Sequence, residues 1–293
     1  MPTLRQLQFL VALADRGAFG RAAEAVHVTQ PTLSAGIKEL ELDLGAQLVE
    51  RESRGARLTS AGREAAARSR DMLERVDALA NAAQSAGEPL TGVFRLGVIP
   101  TIAPYLLPTA APALQSAFPK LKLYLREDLT YRLLDALRAR ELDAAVIALP
   151  YAAAGVETVS VREDEFLLVA PPGHALLSAD TLNVDALPRE SLLLLEDGHC
   201  LRDHALAACG GGAGQRSEFA ATSLATLVQL VAAGYGVTLA PKLAVDAGLT
   251  ASGAVAVRAF DPPVAGREIG VAWRRGSAQS EAARAIAAVL SEL

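Results

Sequence analysis

Apolar positions recur at three- and four-residue steps from Leu4 to Ala14 (Leu4, Leu7, Phe9, Leu10, Leu13, Ala14), the spacing of a helix with one buried face. Gly17-Ala18-Phe19 interrupts it, and Gly20 to Val26 predicts a second, shorter helix. After a tight connection at His27-Val28-Thr29, a third helix opens at Thr29-Gln30-Pro31-Thr32, where a first-turn proline costs no internal hydrogen bond. Its Leu33, Ile37, Leu40 and Leu44 share one side, leaving Gln30, Thr32, Ser34 and Lys38 on the other. Leu48 to Thr59 reads as a short β-ribbon turning at Gly55. A long Ala-rich helix follows over 59–86, with Ala61, Ala65, Met72, Leu73, Val76, Leu79 and Ala83 as its stripe. Alone that stripe stays wet, so it predicts pairing with the same helix of a second subunit. Gly87 to Gly92 then breaks the pattern and predicts a hinge.

Beyond the hinge, short apolar runs alternate with helical periods. Val93–Ile99, Leu121–Arg126 and Asp143–Leu149 read as strands, with helices over 102–117 and Tyr131–Arg140. A second half, from about 164 to 265, holds Phe166–Ala170, Ser191–Leu195, the helix Leu224–Ala233 and Val237–Ala240. Arg267–Trp273 and a last helix over 278–292 return to the first half. Repeated βα units imply parallel sheets with ligand sites at the strand C-termini. The expectation is an α/β protein with a regulatory body over 90–293, in two lobes separated by a cleft. Lobe I spans 90–163 and 267–293, and lobe II spans 164–266.

Composition narrows the class. The chain has 293 residues, 51% of them apolar, with few aromatics, two cysteines and a net charge of −5. That length suggests two or three domains. No run approaches the roughly 18 apolar residues of a membrane span, and the start lacks the charged leader and apolar core of a secretory signal. A cytoplasmic protein with no membrane partner is expected. The acidic total argues against nucleic acid, but its distribution does not. Residues 1–68 carry nine Lys/Arg against eight acids, a balance of +1, while the remainder carries nineteen against twenty-five, a balance of −6. An acidic body with a less acidic head is compatible with a small DNA-binding module.

Short polar side chains and one cation near the start of the third helix suit a recognition helix in a major groove. Arg51, Arg54 and Arg57, within seven residues of the ribbon, suit phosphates beside it. A plain helical hairpin with a solvated face accounts for the same residues. The segments Ala22-Ala23-Glu24, Val28 to Ser34, Ile37 to Glu41, Leu44-Gly45, Leu48 to Arg51 and Leu58 to Gly62 resemble the winged helix-turn-helix of LysR-type transcriptional regulators. The resemblance covers a DNA-binding domain at 1–65, followed by a linker and dimerisation helix at 59–87. It implies that Gln30, Pro31, Thr32, Ser34 and Lys38 face bases and nearby phosphates, and that Arg51 and Arg54 face the backbone of double-stranded DNA. It further implies RNA polymerase as a partner, no enzymatic activity, a homodimer through the linker helix and a homotetramer. The regulatory body also resembles that of the family, whose fold is similar to periplasmic binding proteins.

Cys200 and Cys209 are nine residues apart in Glu196-Asp-Gly-His-Cys-Leu-Arg-Asp-His-Ala-Leu-Ala-Ala-Cys209. In a reducing compartment such a pair reads as metal or redox chemistry before it reads as a structural disulfide. Zinc normally takes four ligands, and His199 and His204 could join the two cysteines, but His199 and Cys200 are neighbours that point apart on a helix, so redox chemistry is the better reading. No metal or other cofactor is expected. His199, Arg202 and a helix start near Cys200 suggest a lowered thiol pKa. If 200–209 is helical, the sulfurs face opposite ways across a rise of about 13 Å, and a bond between them requires the helix to come apart. The glycine run 210–214 permits such rearrangement. A buried Cys209 acting as a small hydrophobe, with an incidental Cys200, fits the spacing equally well.

Gly198 to Asp203 with Cys209 also resembles the peroxide-sensing members of the family, as do Val98 to Thr101, Pro104 to Pro108, Phe118 to Leu121, Ala221 to Leu224 and Ala232 to Gly234. His204 stands where those members often have Gln. The resemblance implies Cys200 as the peroxidatic and Cys209 as the resolving cysteine, joined reversibly as a disulfide that a cellular dithiol reduces. It places Thr101, Thr130, His199 and Arg267 around hydrogen peroxide, and gives Arg202 and Asp203 the task of holding the helix. Competing readings are a LysR-type regulator answering a small metabolite in the cleft, a thiol peroxidase, and a solute-binding protein.

Overall fold

The computed structural model describes residues 1–52, 55–85, 90–151, 153–187, 191–210 and 220–293. The chain forms two compact units, residues 1–87 and 88–293. No described helix is long and apolar enough to cross a membrane.

In the first unit, α1 (Leu4–Arg16), α2 (Phe19–Ala25) and α3 (Gln30–Leu44) bury Leu10, Leu13, Ala22, Leu33, Ile37 and Leu40 in one small core. Thr3 caps α1 in a reciprocal box with Gln6, satisfying free N–H groups at the helix start. Leu44, expected in this core, is instead 46% exposed, because α3 ends there and Gly45 turns the chain away in a left-handed cap. Strands β1 (Val49–Glu52) and β2 (Gly55–Leu58) make the expected ribbon. Gly55, where the turn was expected, instead pairs with Glu52 as the first residue of β2. Helix α4 (Ser60–Ser85) follows. At Gly62 an added Cβ would meet the Leu48 carbonyl oxygen at 2.0 Å, so only glycine permits this approach of α4 to the ribbon.

The face of α4 that packs on this core carries Ala66, Ser69 and, half-buried, Ala65 and Leu73. Ala61, read as part of the stripe, is exposed and lies off that face, and the side chain of Ala83 lies outside the described residues. Further along, Met72, Val76 and Leu79 are left bare, Leu79 by 70%.

The second unit is built on one six-stranded sheet, ordered β4-β3-β5-β10-β6-β9. Strands β3 (Gly92–Val98), β4 (Leu121–Glu127) and β5 (Ala144–Leu149) run parallel, with α5 (Ala103–Ala117) and α6 (Thr130–Ala139) between them. The all-parallel expectation fails beyond them. Strand β6 (Val156–Ala170) and β10 (Ala256–Arg274) pair antiparallel with each other, and β9 (Thr238–Pro241) and β5 join them antiparallel. At 15 and 19 residues, β6 and β10 are long enough to serve two cores in succession, so the chain goes out on one and returns on the other. The first core gathers β3, β5, α5, α6, the end of β10 and α10 (Ser280–Ser291) around Trp273. The second gathers the end of β6, β7 (Leu194–Leu195), α7 (Cys200–Ala208), β8 (Ala220–Ala221), α8 (Leu224–Ala232), β9 and α9 (Lys242–Asp246). The short strands β7 and β8 pair parallel. The architecture is the expected one: winged helix-turn-helix, long helix, and an α/β regulatory body with two cores.

Candidate functional site

On α3, Gln30, Pro31, Thr32 and Lys38 are exposed and Ser34 is half-buried, so the opening turns present short polar groups and one cation. Thr29 caps the helix, accepting from the Thr32 N–H at 3.4 Å, and the two hydroxyls lie 2.8 Å apart. Glu41 Oε1, further along α3, accepts from the N–H groups of Leu48 (2.8 Å) and Val49 (3.0 Å) and so fixes where the ribbon starts. Arg57 is exposed on β2, across from Glu50. The side chain of Arg51 and all of Arg54 lie outside the described residues.

The cysteines occupy the two ends of α7. Cys200 is its first residue and Cys209 its C-cap, and no disulfide joins them. Helix α7 buries Leu201, Ala205 and Cys209 in the second core, whereas the half-buried Cys200 packs against the first. The lead-in turn requires glycine at position 198, where φ is +96°. Arg202 donates to the Leu195 carbonyl (3.1 Å) and pairs with Asp197 (2.9 Å), tying the first turn of α7 to β7 and to the turn before it. Asp203, one of the residues expected to hold the helix, is exposed in the first turn, where a carboxylate suits the helix dipole.

Around Cys200 the structure brings together residues distant in sequence. Arg267 of β10 is fully buried; its Nε donates to Asp164 Oδ2 (3.0 Å), Nη1 to Thr101 Oγ1 (2.7 Å) and Nη2 to the Thr101 carbonyl (2.9 Å). Asp164, equally buried on β6 and in register with Arg267, accepts from the Leu243 N–H at the start of α9 (2.8 Å). Thr101 therefore joins the site through the Arg267 guanidinium. Thr130, at the start of α6, is buried with its hydroxyl facing the Cys200 sulfur, and that hydroxyl has no other hydrogen-bond partner. Tyr105, half-buried, packs against both cores; burial raises its pKa and the Arg267 charge lowers it.

The electrostatics overturn one expectation. Burial pushes the Cys200 thiol up from its ordinary value, and Asp203 adds to the rise. The Thr130 hydroxyl, the Arg267 charge and the Leu201 N–H oppose it without reversing it. Desolvation thus outweighs the helix start, and the resting group is a thiol. Burial also lowers the His199 pKa, against the pull of Glu196, so this histidine is neutral and brings no cation to the sulfur. Burial and Arg267 likewise lower His204, while Asp203 and the Cys200 carbonyl act to raise it. Among the described residues no group of three His, Cys, Asp or Glu is placed to hold a metal ion.

Asp164, Tyr105 and Asp197 were not identified from the sequence. Asp164 lies 103 residues from the guanidinium it holds, and only the pairing of β6 with β10 joins them.

A profile of the bacterial regulatory helix-turn-helix, lysR family, matches residues 4–63, and one of the LysR substrate binding domain matches residues 87–293. The chain is 42% identical over 293 residues to a probable hydrogen peroxide-inducible genes activator of Streptomyces viridosporus, covering 99% of this chain and 94% of that protein. It is 41% identical over 275 residues to the DNA-binding transcriptional dual regulator OxyR of Escherichia coli K12, covering 94% and 90%. Among solved structures, a full-length OxyR mutant from Pseudomonas aeruginosa superposes with a TM-score of 0.80 at 37% identity, covering 99% of this chain and 98% of that one. An OxyR mutant from Corynebacterium glutamicum with bound hydrogen peroxide gives 0.69 at 34% identity, covering 100% and 92%.

Proposed function

The chain belongs to the LysR family of DNA-binding regulators, and from that premise we propose that it senses hydrogen peroxide through a reversible Cys200–Cys209 disulfide. The observation that carries the reading is the placement of two cysteines, not joined by a disulfide, at opposite ends of one nine-residue helix, each against a different core. Peroxide oxidises Cys200 to a sulfenic acid, with Thr101, Thr130, His199 and Arg267 around the oxidant. Cys209 resolves it as a disulfide, and a cellular dithiol resets the pair. The nine residues of α7 set the cysteines about 13 Å apart, beyond the roughly 7 Å a disulfide allows between alpha carbons. Helix α7 must therefore come apart, and that refolding is what the assembly reads. Most of the glycine run after Cys209 lies outside the described residues.

In this reading the protein works in the cytoplasm on double-stranded DNA and acts on RNA polymerase. Its dimer forms through the bare Met72, Val76 and Leu79 of α4, and two dimers make the tetramer. The test is DNA footprinting of the full chain before and after stoichiometric peroxide, with mass spectrometry of the same samples. The expected result is a changed footprint in step with the disulfide. An unchanged footprint on fully oxidised protein sinks the reading.

The exposed face of α3 supports a division of labour at the DNA. Lys38→Ala is expected to weaken binding almost equally on all sequences and reduce the salt slope by about one. Gln30→Ala is expected to cost about 1–3 kcal/mol of discrimination at particular bases. Binding isotherms on operator and random DNA at several salt concentrations check both. Equal losses on the two DNAs for Gln30→Ala count against this docking of α3.

A further inference from the structure

Among the described residues, His204 Nδ1 is buried with no hydrogen-bond partner, and the buried Thr130 hydroxyl oxygen has none besides the Cys200 sulfur it faces. Both belong to residues that act on Cys200 or are acted on by it. Folded chains rarely leave a buried polar atom unmatched, so a bare ring nitrogen on the helix that starts at Cys200 points to a proton or a small polar guest. His204 is one helical turn after Cys200, and residues four apart share a helix face. His199 is adjacent to Cys200 in sequence and does not share that face. A thiol kept protonated by its surroundings must also lose its proton as it attacks, because the thiolate is the nucleophile.

We propose that His204 is the proton acceptor for Cys200 during its oxidation by hydrogen peroxide, an inference that rests on the peroxide-sensing reading above. The thiol proton moves to Nδ1 as the sulfur electron pair attacks the nearer peroxide oxygen. An S–O bond forms while the O–O bond breaks, and the imidazolium returns its proton to the departing hydroxide. Sulfur is oxidised to sulfenic acid, peroxide is reduced, and one water leaves: Cys–SH + H2O2 gives Cys–SOH + H2O. The groups around the imidazole suit this cycle. Arg267 from β10 discourages its cation, while Asp203 and the Cys200 carbonyl from its own helix favour it; β7, packed against α7, brings only Leu194 and Leu195, and α6 brings the uncharged Thr130. With burial included the balance lowers the His204 pKa, so the imidazole is neutral and able to accept at neutral pH.

The experiment follows the initial rate of Cys200 oxidation by limiting hydrogen peroxide in the full chain carrying Cys209→Ser, with and without His204→Gln, from about pH 6 to 9. Mass spectrometry reads the sulfenic acid after trapping with dimedone. With His204 present the rate is expected to level off above a midpoint below the ordinary histidine value of about 6.5. With His204→Gln the rate at pH 7 is expected to fall by about 10²–10⁴-fold and then climb about tenfold per pH unit as free thiolate takes over. Parallel profiles for the two chains overturn the proposal and leave peroxide sensing intact. No oxidation of Cys200 in either chain, where Cys200 still reacts with iodoacetamide, overturns both. If His204→Gln unfolds the protein, the His204-containing chain decides alone: a tenfold rise per unit across the whole range, with no midpoint, overturns the proposal.

Discussion

Replacing Cys200 by Ser is expected to abolish the transcriptional response to peroxide while leaving DNA affinity at its reduced-state value. Cys200 lies in the regulatory unit, far along the chain from α3, and its hydroxyl replacement cannot form a sulfenic acid. Cys209→Ser is expected to differ in kind. Cys200 still oxidises, but the product stops one oxygen heavier, where the unaltered chain finishes two hydrogens lighter. A sulfenic acid adds one atom and leaves α7 in place, so Cys209→Ser should respond weakly or not at all. Amide hydrogen exchange over 200–208 gives the structural half of the measurement: protection is lost in the disulfide form and retained in Cys209→Ser. A peroxide response that persists in Cys200→Ser defeats the mechanism.

The DNA-binding head was legible because its information is local. Helix periods, the proline in the first turn of α3 and the cap at Thr29 all act within a few residues of one another. Leu44 was misassigned because the chain turns away at Gly45, which periodicity does not register. The apolar runs of the regulatory body mark β3, β4, β5 and β9 but only the ends of β6 and β10, overextend β7 and miss the two-residue β8, and they carry no strand direction. A run of apolar residues does not reveal that β6 and β10 travel through two cores and pair with each other. The two cysteines were visible at once, and the helix between them followed from its flanks. The direction of the Cys200 pKa was not visible, since it depends on a desolvation that only the packed fold supplies. For the same reason His199 looked like a cation in the sequence and is neutral in the structure.

The second large effect is expected at Asp164. Its side chain is 1% exposed and that of Arg267 0%, so neither charge has solvent to fall back on. Asp164→Ala removes the counter-charge from Arg267 and the acceptor from the Leu243 N–H together. Breaking a buried pair by deleting one partner costs about 3–5 kcal/mol, because the remaining charge stays buried. The regulatory unit should therefore unfold at markedly lower urea than in the unaltered chain. The double variant Asp164→Leu, Arg267→Met separates stability from function, since replacing both partners by apolar groups of similar volume is often neutral. It is expected to regain most of the lost urea midpoint. It should not regain fast oxidation of Cys200, because Arg267 is the cation that acts on that sulfur and the group that holds the Thr101 hydroxyl. If the double variant reacts with peroxide as fast as the unaltered chain, Arg267 serves the fold alone. A loss below about 1 kcal/mol in Asp164→Ala argues instead that water reaches the pair.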